Sequence, residues 1–198
     1  MFQGRNHDSA ISYYEKVGDS VIPVAASFCV PDSWTWARLR SICLPQTSLE
    51  PSGELFRYID IDSVDNTHLL IREPKLIETK EAPSRARRVV SEGSVLFSMV
   101  RPYLKNIALA GKEHDGCIAS TGFYVCTPSS SLIRPDWLFL CMQSDYFVLE
   151  INRHVRGDNS PSVRKDDMDR MLVPIPPIAE QNRIAGKTAG LVRLLQPY

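Results

Sequence analysis

The sequence predicts an α+β domain: a curved, irregular, mostly antiparallel sheet carrying short helices, with one helix protruding at the C-terminus. Three observations lead there. Apolar stretches such as Leu55–Ile61 and Val95–Val100 are strand-length and rich in β-branched and aromatic residues. Glycine and proline interrupt them repeatedly, which favours bulges and bends over a flat sheet. A longer run with helical spacing begins at Pro177, where Ile178, Ile184, Leu191, Val192 and Leu195 fall roughly on one face.

Taken in order, Asp8 to Val17 suits a short helix capped by Asp8 and stopped by Gly18. Ser33 is placed to cap a second helix running through Ile42, anchored in the core by Trp34 and Trp36; these two tryptophans are weighed against a role as stacking platforms. Leu55–Ile61 and Leu69–Ile71 read as strands, and Ala82–Arg88 as one or two helical turns. Val95–Val100 is a strand punctuated by Arg101-Pro102. Asn106–Ala110 and Cys117–Ala119 are short strands around a Gly111–Gly116 turn, and Gly122–Cys126 is another strand behind Ser120-Thr121-Gly122, read as a strand-turn cap. Asp136–Met142 and Tyr146–Val155 have helical spacing, Gly157–Pro161 is a loop of turn formers, and Asp166–Met171 fits one helical turn. In the run from Val173 to Pro177, Pro174 and Pro176 keep the chain extended, and Pro177 suits the first helical position. The helix to Leu195 is then roughly 28 Å long at 1.5 Å per residue.

Composition narrows the function. No apolar run approaches the roughly 18 residues that span a bilayer, and the polar start, Met1 to Asp8, does not read as a signal peptide; the expected compartment is the cytoplasm, with no membrane partner. The five cysteines, Cys29, Cys43, Cys117, Cys126 and Cys141, are odd in number and include no CxxC pair. A disulfide framework or zinc site is not expected, and the cysteines are read as small buried apolar residues. The formal net charge is zero, an objection to nucleic-acid binding, where phosphate contacts dominate. The charges are segregated, however: Glu50, Glu54, Asp60, Asp62 and Asp65 surround only Arg57, whereas Arg85, Arg87, Arg88, Arg101 and Lys105 surround only Glu92. Such a pattern can build a basic face on a neutral protein.

Catalytic motifs are weak. There is no GxxxxGK[ST] loop for ATP, and no Asp/Asn-Pro-Pro-aromatic segment of an adenine methyltransferase; the Pro-Pro pair, Pro176-Pro177, is flanked by isoleucines. His7, His68, His114 and His154 lack metal-ligand spacing. A magnesium nuclease of the PD-(D/E)xK type would use Asp32, Glu78 and Lys80, but Asp32 opens a Trp-rich segment far from Glu78; Glu78→Ala would abolish metal-dependent cutting on that reading alone. Binding candidates are richer. Arg101, Tyr103, Lys105 and Asn106 cluster at a strand end, with arginine able to read guanine and asparagine adenine. Arg85, Arg87 and Arg88 suit phosphates. The loop and its flank offer Arg156, Asn159, Ser160, Arg164 and Lys165.

Six segments then occur in the order found in one family. Pro31-Asp32-Ser33-Trp34-Thr35-Trp36-Ala37-Arg38-Leu39 resembles its domain opening, and Tyr58-Ile59-Asp60-Ile61-Asp62 its first main strand. Gly93 to Asn106 is similar to "GxvLfSxvRPylxN", Ile118 to Phe123 to "iaSTgF", Gly157 to Val163 to "GxxxPxV", and Pro174 to Ile184 to "PxPPxxEQxxI". Together they resemble the specificity subunits of type I restriction–modification enzymes, and Tyr14-Glu15-Lys16 resembles the linker before a recognition domain. The resemblance implies a lead-in over residues 1–30, a target-recognition domain over 31–176 and the start of a spacer helix over 177–198. It implies a non-catalytic chain, carrying no cofactor itself, that reads one half of a bipartite site on double-stranded DNA. S-adenosylmethionine would belong to the methylation subunit, and ATP and magnesium to the restriction subunit that joins through it. Ile184, Leu191 and Leu195 would form a seam to a second recognition domain or to a second copy, against the simpler reading that the helix packs on its own domain. The Arg101-Pro102-Tyr103 run belongs to the family signature, so phosphate or structural duty is weighed above base reading for Arg101. The alternative is the recognition domain of a fused restriction enzyme.

Overall fold

The computed structural model describes residues 13–195 apart from 18, 25 and 130, with the side chains of 17 and 189–195 also outside the description. Strands β1 (Tyr13–Val17) and β2 (Ser20–Val24) form a hairpin, followed by β3 (Thr35–Arg38) and a single turn, α1 (Leu39–Ile42). Next come β4 (Leu55–Ile59), β5 (Val64–Asp65), β6 (Leu70–Ile71), β7 (Lys75–Glu78), β8 (Ala86–Val89), β9 (Val95–Ser98), β10 (Ile107–Leu109), β11 (Ile118–Ser120) and β12 (Phe123–Cys126). Helices α2 (Pro135–Gln143), α3 (Asp145–Asn152) and α4 (Lys165–Arg170) precede β13 (Leu172–Ile175), and α5 (Ile178–Leu195) ends the fold.

Two sheets stack beneath a helical layer. The inner sheet, in order β10-β9-β12, is antiparallel throughout. Its β9 is buried on both faces, and side-chain alternation sorts its residues. Val95 and Phe97 join Trp137, Leu138, Phe147 and Ile151 of α2 and α3 in the larger core, whereas Leu96 packs with Phe123, Val125, Ile59 and Ala119 beneath the second sheet. That second sheet, β7-β4-β11-β8, pairs β4 and β11 in parallel and the rest antiparallel. Its outer face buries Phe56, Tyr58, Ala86 and Ile118. The α+β class with short, mostly antiparallel sheets therefore holds.

Several local expectations change. The capped start of the proposed first helix falls among residues 1–12, outside the description; its end, Tyr13–Val17, is a strand facing β2 in the register Tyr13↔Val24 to Val17↔Ser20. Thr35–Arg38 is a strand rather than helix because it pairs with β13, Trp36 opposite Pro174; β-branched and aromatic side chains suit that ladder. Trp36 is fully buried, so it anchors the core from a strand. Ala82–Arg88 is also not helical. A 3₁₀ turn closes at Glu81 and β8 follows, where the ladder with β11 and the burial of Ala86 outweigh the local helix preference of Ala and Arg. Cys43 and Cys126 are joined by a disulfide with a Cα–Cα separation of 5.9 Å, and Cys29 is exposed. The expectation of five buried free thiols thus fails, because the end of α1 and the end of β12, distant in sequence, meet in space. Cys117 and Cys141 are free and buried as expected, and burial pushes both thiols above their ordinary value.

The first turns of α5 belong to the domain. Gln181 is fully buried: its Oε1 accepts from the Arg134 N–H at 2.9 Å, and its Nε2 donates to the carbonyls of Pro176 at 2.9 Å and Leu132 at 3.2 Å. Glu180 accepts the indole N–H of Trp34 at 2.9 Å, and Trp34 meets Trp137 edge to face. The lead-in docks through the Glu15–Arg38 ion pair at 2.6 Å and Tyr13 against Trp36. Gln181→Leu should lower stability by about 3 kcal/mol, since a buried group left unpaired costs ~1–3 kcal/mol and partial relaxation shares three of them. Urea unfolding monitored by tryptophan fluorescence measures this directly.

Candidate nucleic-acid interface

Backbone hydrogen bonds link four separate chain segments into one rim. The Thr121 N–H donates to the Arg85 carbonyl at 2.8 Å, and Met99 N–H to Gly122 at 2.8 Å. Val163 N–H donates to Met99 at 2.9 Å, and Arg101 N–H to Pro161 at 2.7 Å. Arg156 and Ser162 exchange a reciprocal pair at 2.9 Å each. The entry to β8, the Ser120–Gly122 turn, the tip after β9 and the loop after α3 thus run side by side.

The tip is held in an uncommon backbone form. Arg101 has φ +48° and Lys105 φ +53°, both left-handed, on either side of a 3₁₀ turn over Pro102–Leu104. Each such residue costs about 1 kcal/mol when it is not glycine, offset here by Arg101 bonding to Pro161 and by Asn66 Nδ2 donating to the Leu104 carbonyl at 3.0 Å. The result presents Tyr103, half exposed, and Leu104 outward. The Arg101 guanidinium reaches the Asn159 carbonyl at 3.5 Å.

The loop after α3 is organised by Asp167. This buried carboxylate accepts from Arg156 Nη1 at 2.6 Å and from the Arg164 N–H at 2.9 Å. The Arg156 guanidinium holds its carboxyl below the ordinary aspartate value. Tyr124 donates to Asp169 at 2.8 Å, and Lys165 pairs with the same side chain at 2.5 Å.

The structure therefore gathers Arg85, Arg101, Tyr103, Arg156 and Asn159 on one rim, all exposed, with Arg164 and Lys165 exposed just beyond Val163. Among the described residues Arg85 and Arg101 have no carboxylate partner, whereas Arg156 and Lys165 are paired, and Lys105 binds Asp145 at 2.8 Å. Two candidates depart from expectation. Asn106 is only 8 % exposed; at the foot of the hairpin it faces the interior and presents no side chain to a base. Arg88 departs from the cluster of Arg85 and Arg87: the β8–β11 register shifts at Arg87, and Arg88 lines a cleft together with Gln46, while Arg87 pairs with Glu50 at 3.2 Å. Ile184 packs partly buried against the domain's own core, while the side chains of Leu191 and Leu195 lie outside the description.

Lys80 and Glu78 pair with each other at 2.6 Å, and among the described residues no three potential metal ligands gather. Sequence reasoning missed Asp167 as the organiser of the loop and Gln46 as the neighbour of Arg88. The first is a carboxylate in a charge-rich helix, and the second has no local signal at all.

The fold and rim define a class, an α+β domain whose exposed edge carries Arg85 and Arg101. The family described as "Type I restriction modification DNA specificity domain" matches residues 55–187, and the chain belongs to this family. Among curated proteins it is similar to the type I restriction enzyme HindI specificity subunit of Haemophilus influenzae, 25% identical over 131 residues, covering 64% of this chain and 28% of that protein. It is also similar to the EcoDI specificity subunit of Escherichia coli, 23% identical over 174 residues, covering 82% and 35%. Among solved structures it resembles the HsdS subunit from Thermoanaerobacter tengcongensis, with TM-score 0.78 and 38% identity, covering 85% of this chain and 44% of that one. The chain thus spans about a third of these curated relatives. Among the described residues no helix is long and apolar enough to cross a membrane.

Asp167 makes a test of the loop. Its lowered carboxyl value means that its contribution to stability is present above the ordinary aspartate value of 3.8 and is lost as pH falls through the lower folded value. Asp167→Asn should speed amide exchange across residues 156–163 at neutral pH, with the difference from the parent chain shrinking on acidification below about pH 4.

Proposed function

We propose that this chain is the recognition part of a type I specificity subunit and reads one half of a bipartite site on double-stranded DNA. The observation that carries the reading is the rim: four segments fixed side by side by main-chain hydrogen bonds, bearing two exposed arginines, Arg85 and Arg101, that have no carboxylate partner among the described residues, on a domain of this family. Arg101 and Arg85 contact phosphates and set the register, while Tyr103, Asn159 and Arg164 lie where base edges would pass. Specificity arises from the loop side chains and not from the buried Asn106.

On this reading the chain performs no chemistry. A methylation subunit binds S-adenosylmethionine and modifies adenine, and a restriction subunit joins through it, hydrolyses ATP and cuts with magnesium. The part of α5 beyond Thr188 provides the seam to a second recognition domain or second copy, since Ile184 is already engaged within the domain. The complex works in the cytoplasm. A recognition domain within a fused restriction enzyme would use the same rim.

Co-expression with the neighbouring methylation subunit and mapping of N6-methyladenine tests the reading: a motif that depends on this chain is expected, two-fold symmetric if two copies act together. Absence of any chain-dependent motif, with both proteins well expressed, would overturn it. With the motif in hand, Arg85→Ala and Arg101→Ala should each lower the slope of log affinity against log salt by about one, and Lys80→Ala should leave it unchanged.

A further inference from the structure

We propose that the cleft between the segment after α1 and the far end of β8 is an oxyanion site, built around Arg88 and Gln46 and suited to a phosphate-type group. The cleft has a volume of about 130 Å³. Its walls are pinned by main-chain bonds: Leu44 N–H to Thr127 at 2.8 Å, Leu49 N–H to Arg87 at 2.9 Å, and an isolated bridge between Ser48 and Arg88. The Cys43–Cys126 disulfide ties the adjoining residues. It is thus a fixed feature of the fold.

Its chemistry is one-sided. The Arg88 Nε and the Gln46 Nε2 are both buried with no protein partner, two of five such atoms among the described residues, and both belong to side chains that line this cleft. Both are hydrogen-bond donors. Ser91 and Thr127 add hydroxyls to the wall, the latter sharing a 2.8 Å bond with Ser94. Among the described residues no carboxylate lines the cleft, and the neighbouring Glu50 is taken by Arg87. A buried guanidinium N–H without an acceptor is among the costlier groups to leave unmade. A single water needs roughly 10–15 Å³ of such space, so the cleft is several times too large for one and has room for a tetrahedral anion. Guanidinium geometry favours phosphate or a like oxyanion.

The site stands apart from the rim and does not rest on the DNA reading. Two sources share its chemistry: a DNA backbone phosphate and a free phosphate or phosphate monoester. Thermal unfolding of the whole chain in inorganic phosphate, against potassium chloride at matched ionic strength, is the first measurement. We expect a saturable rise with a low-millimolar midpoint, about 3 °C or more at saturation. Arg88→Met should keep the parent's stability in chloride, because the lost donor had no partner, and should abolish the phosphate-specific rise; Gln46→Met should weaken it severalfold. Arg88→Lys, which keeps the charge but not the fork, serves if the methionine variant does not fold, and should cut the response by a similar factor. No phosphate-specific rise in the parent chain, or an unchanged rise in the Arg88 variants, overturns the proposal. A labelled duplex then separates the sources: a salt slope lower by about one in Arg88→Met identifies a backbone phosphate, and an unchanged slope beside a lost phosphate response identifies a free anion.

Discussion

The buried amide of Gln181 is the contact on which the rest of this domain depends. It satisfies three main-chain groups from two segments that have no partner in a strand, those at Leu132 and Arg134 and that at Pro176. Beside it, Glu180 takes the indole of Trp34. These two consecutive residues join the last helix both to the opening of the domain and to the entry into α2. Without them the apolar packing of α2 on the central sheet would still be favourable, but its angle relative to α5 would be free. Polar closure of this kind contributes less through net energy than through the penalty for every alternative arrangement that leaves those groups unpaired.

The rim follows the same logic at a smaller scale. Its four segments touch through main-chain groups, so its shape does not depend on which side chains it carries. Asp167 adds a charged side chain to these main-chain bonds where the loop after α3 turns back on itself. Arg156 is consequently committed to the frame as well as being exposed, whereas the side chains of Arg85 and Arg101 have no carboxylate partner among the described residues.

Much of this was legible in the sequence. The hairpin around β9 and β10, the turn at Gly122, helices α2 and α3 and the Pro-rich entry to α5 all follow from periodicity and punctuation. The motif order pointed to the family, which the matched domain description bears out. What was not legible depends on partners distant in the chain. Thr35–Arg38 becomes a strand only because Leu172–Ile175 lies beside it. The Cys43–Cys126 pair spans 83 residues, and nothing local couples them. Arg85, Arg87 and Arg88 look like one basic cluster in a row of letters, yet Arg87 pairs with Glu50 and Arg88 lines the cleft beside Gln46, and sequence density could not reveal those separate surroundings. The interior position of Asn106 escaped for the same reason.

The ladder between β3 and β13 carries one more consequence. Strand β3, after the opening hairpin, and β13, before α5, lie side by side, Thr35 opposite Ile175, so the polypeptide enters and leaves this part of the fold through a single doorway. Everything between, including both sheets and the whole rim, is a closed excursion from that doorway. A unit with adjoining ends can be lifted out and set into another helical framework without altering the spacing of the framework itself. On the proposed reading, this geometry makes the recognising part a replaceable cartridge.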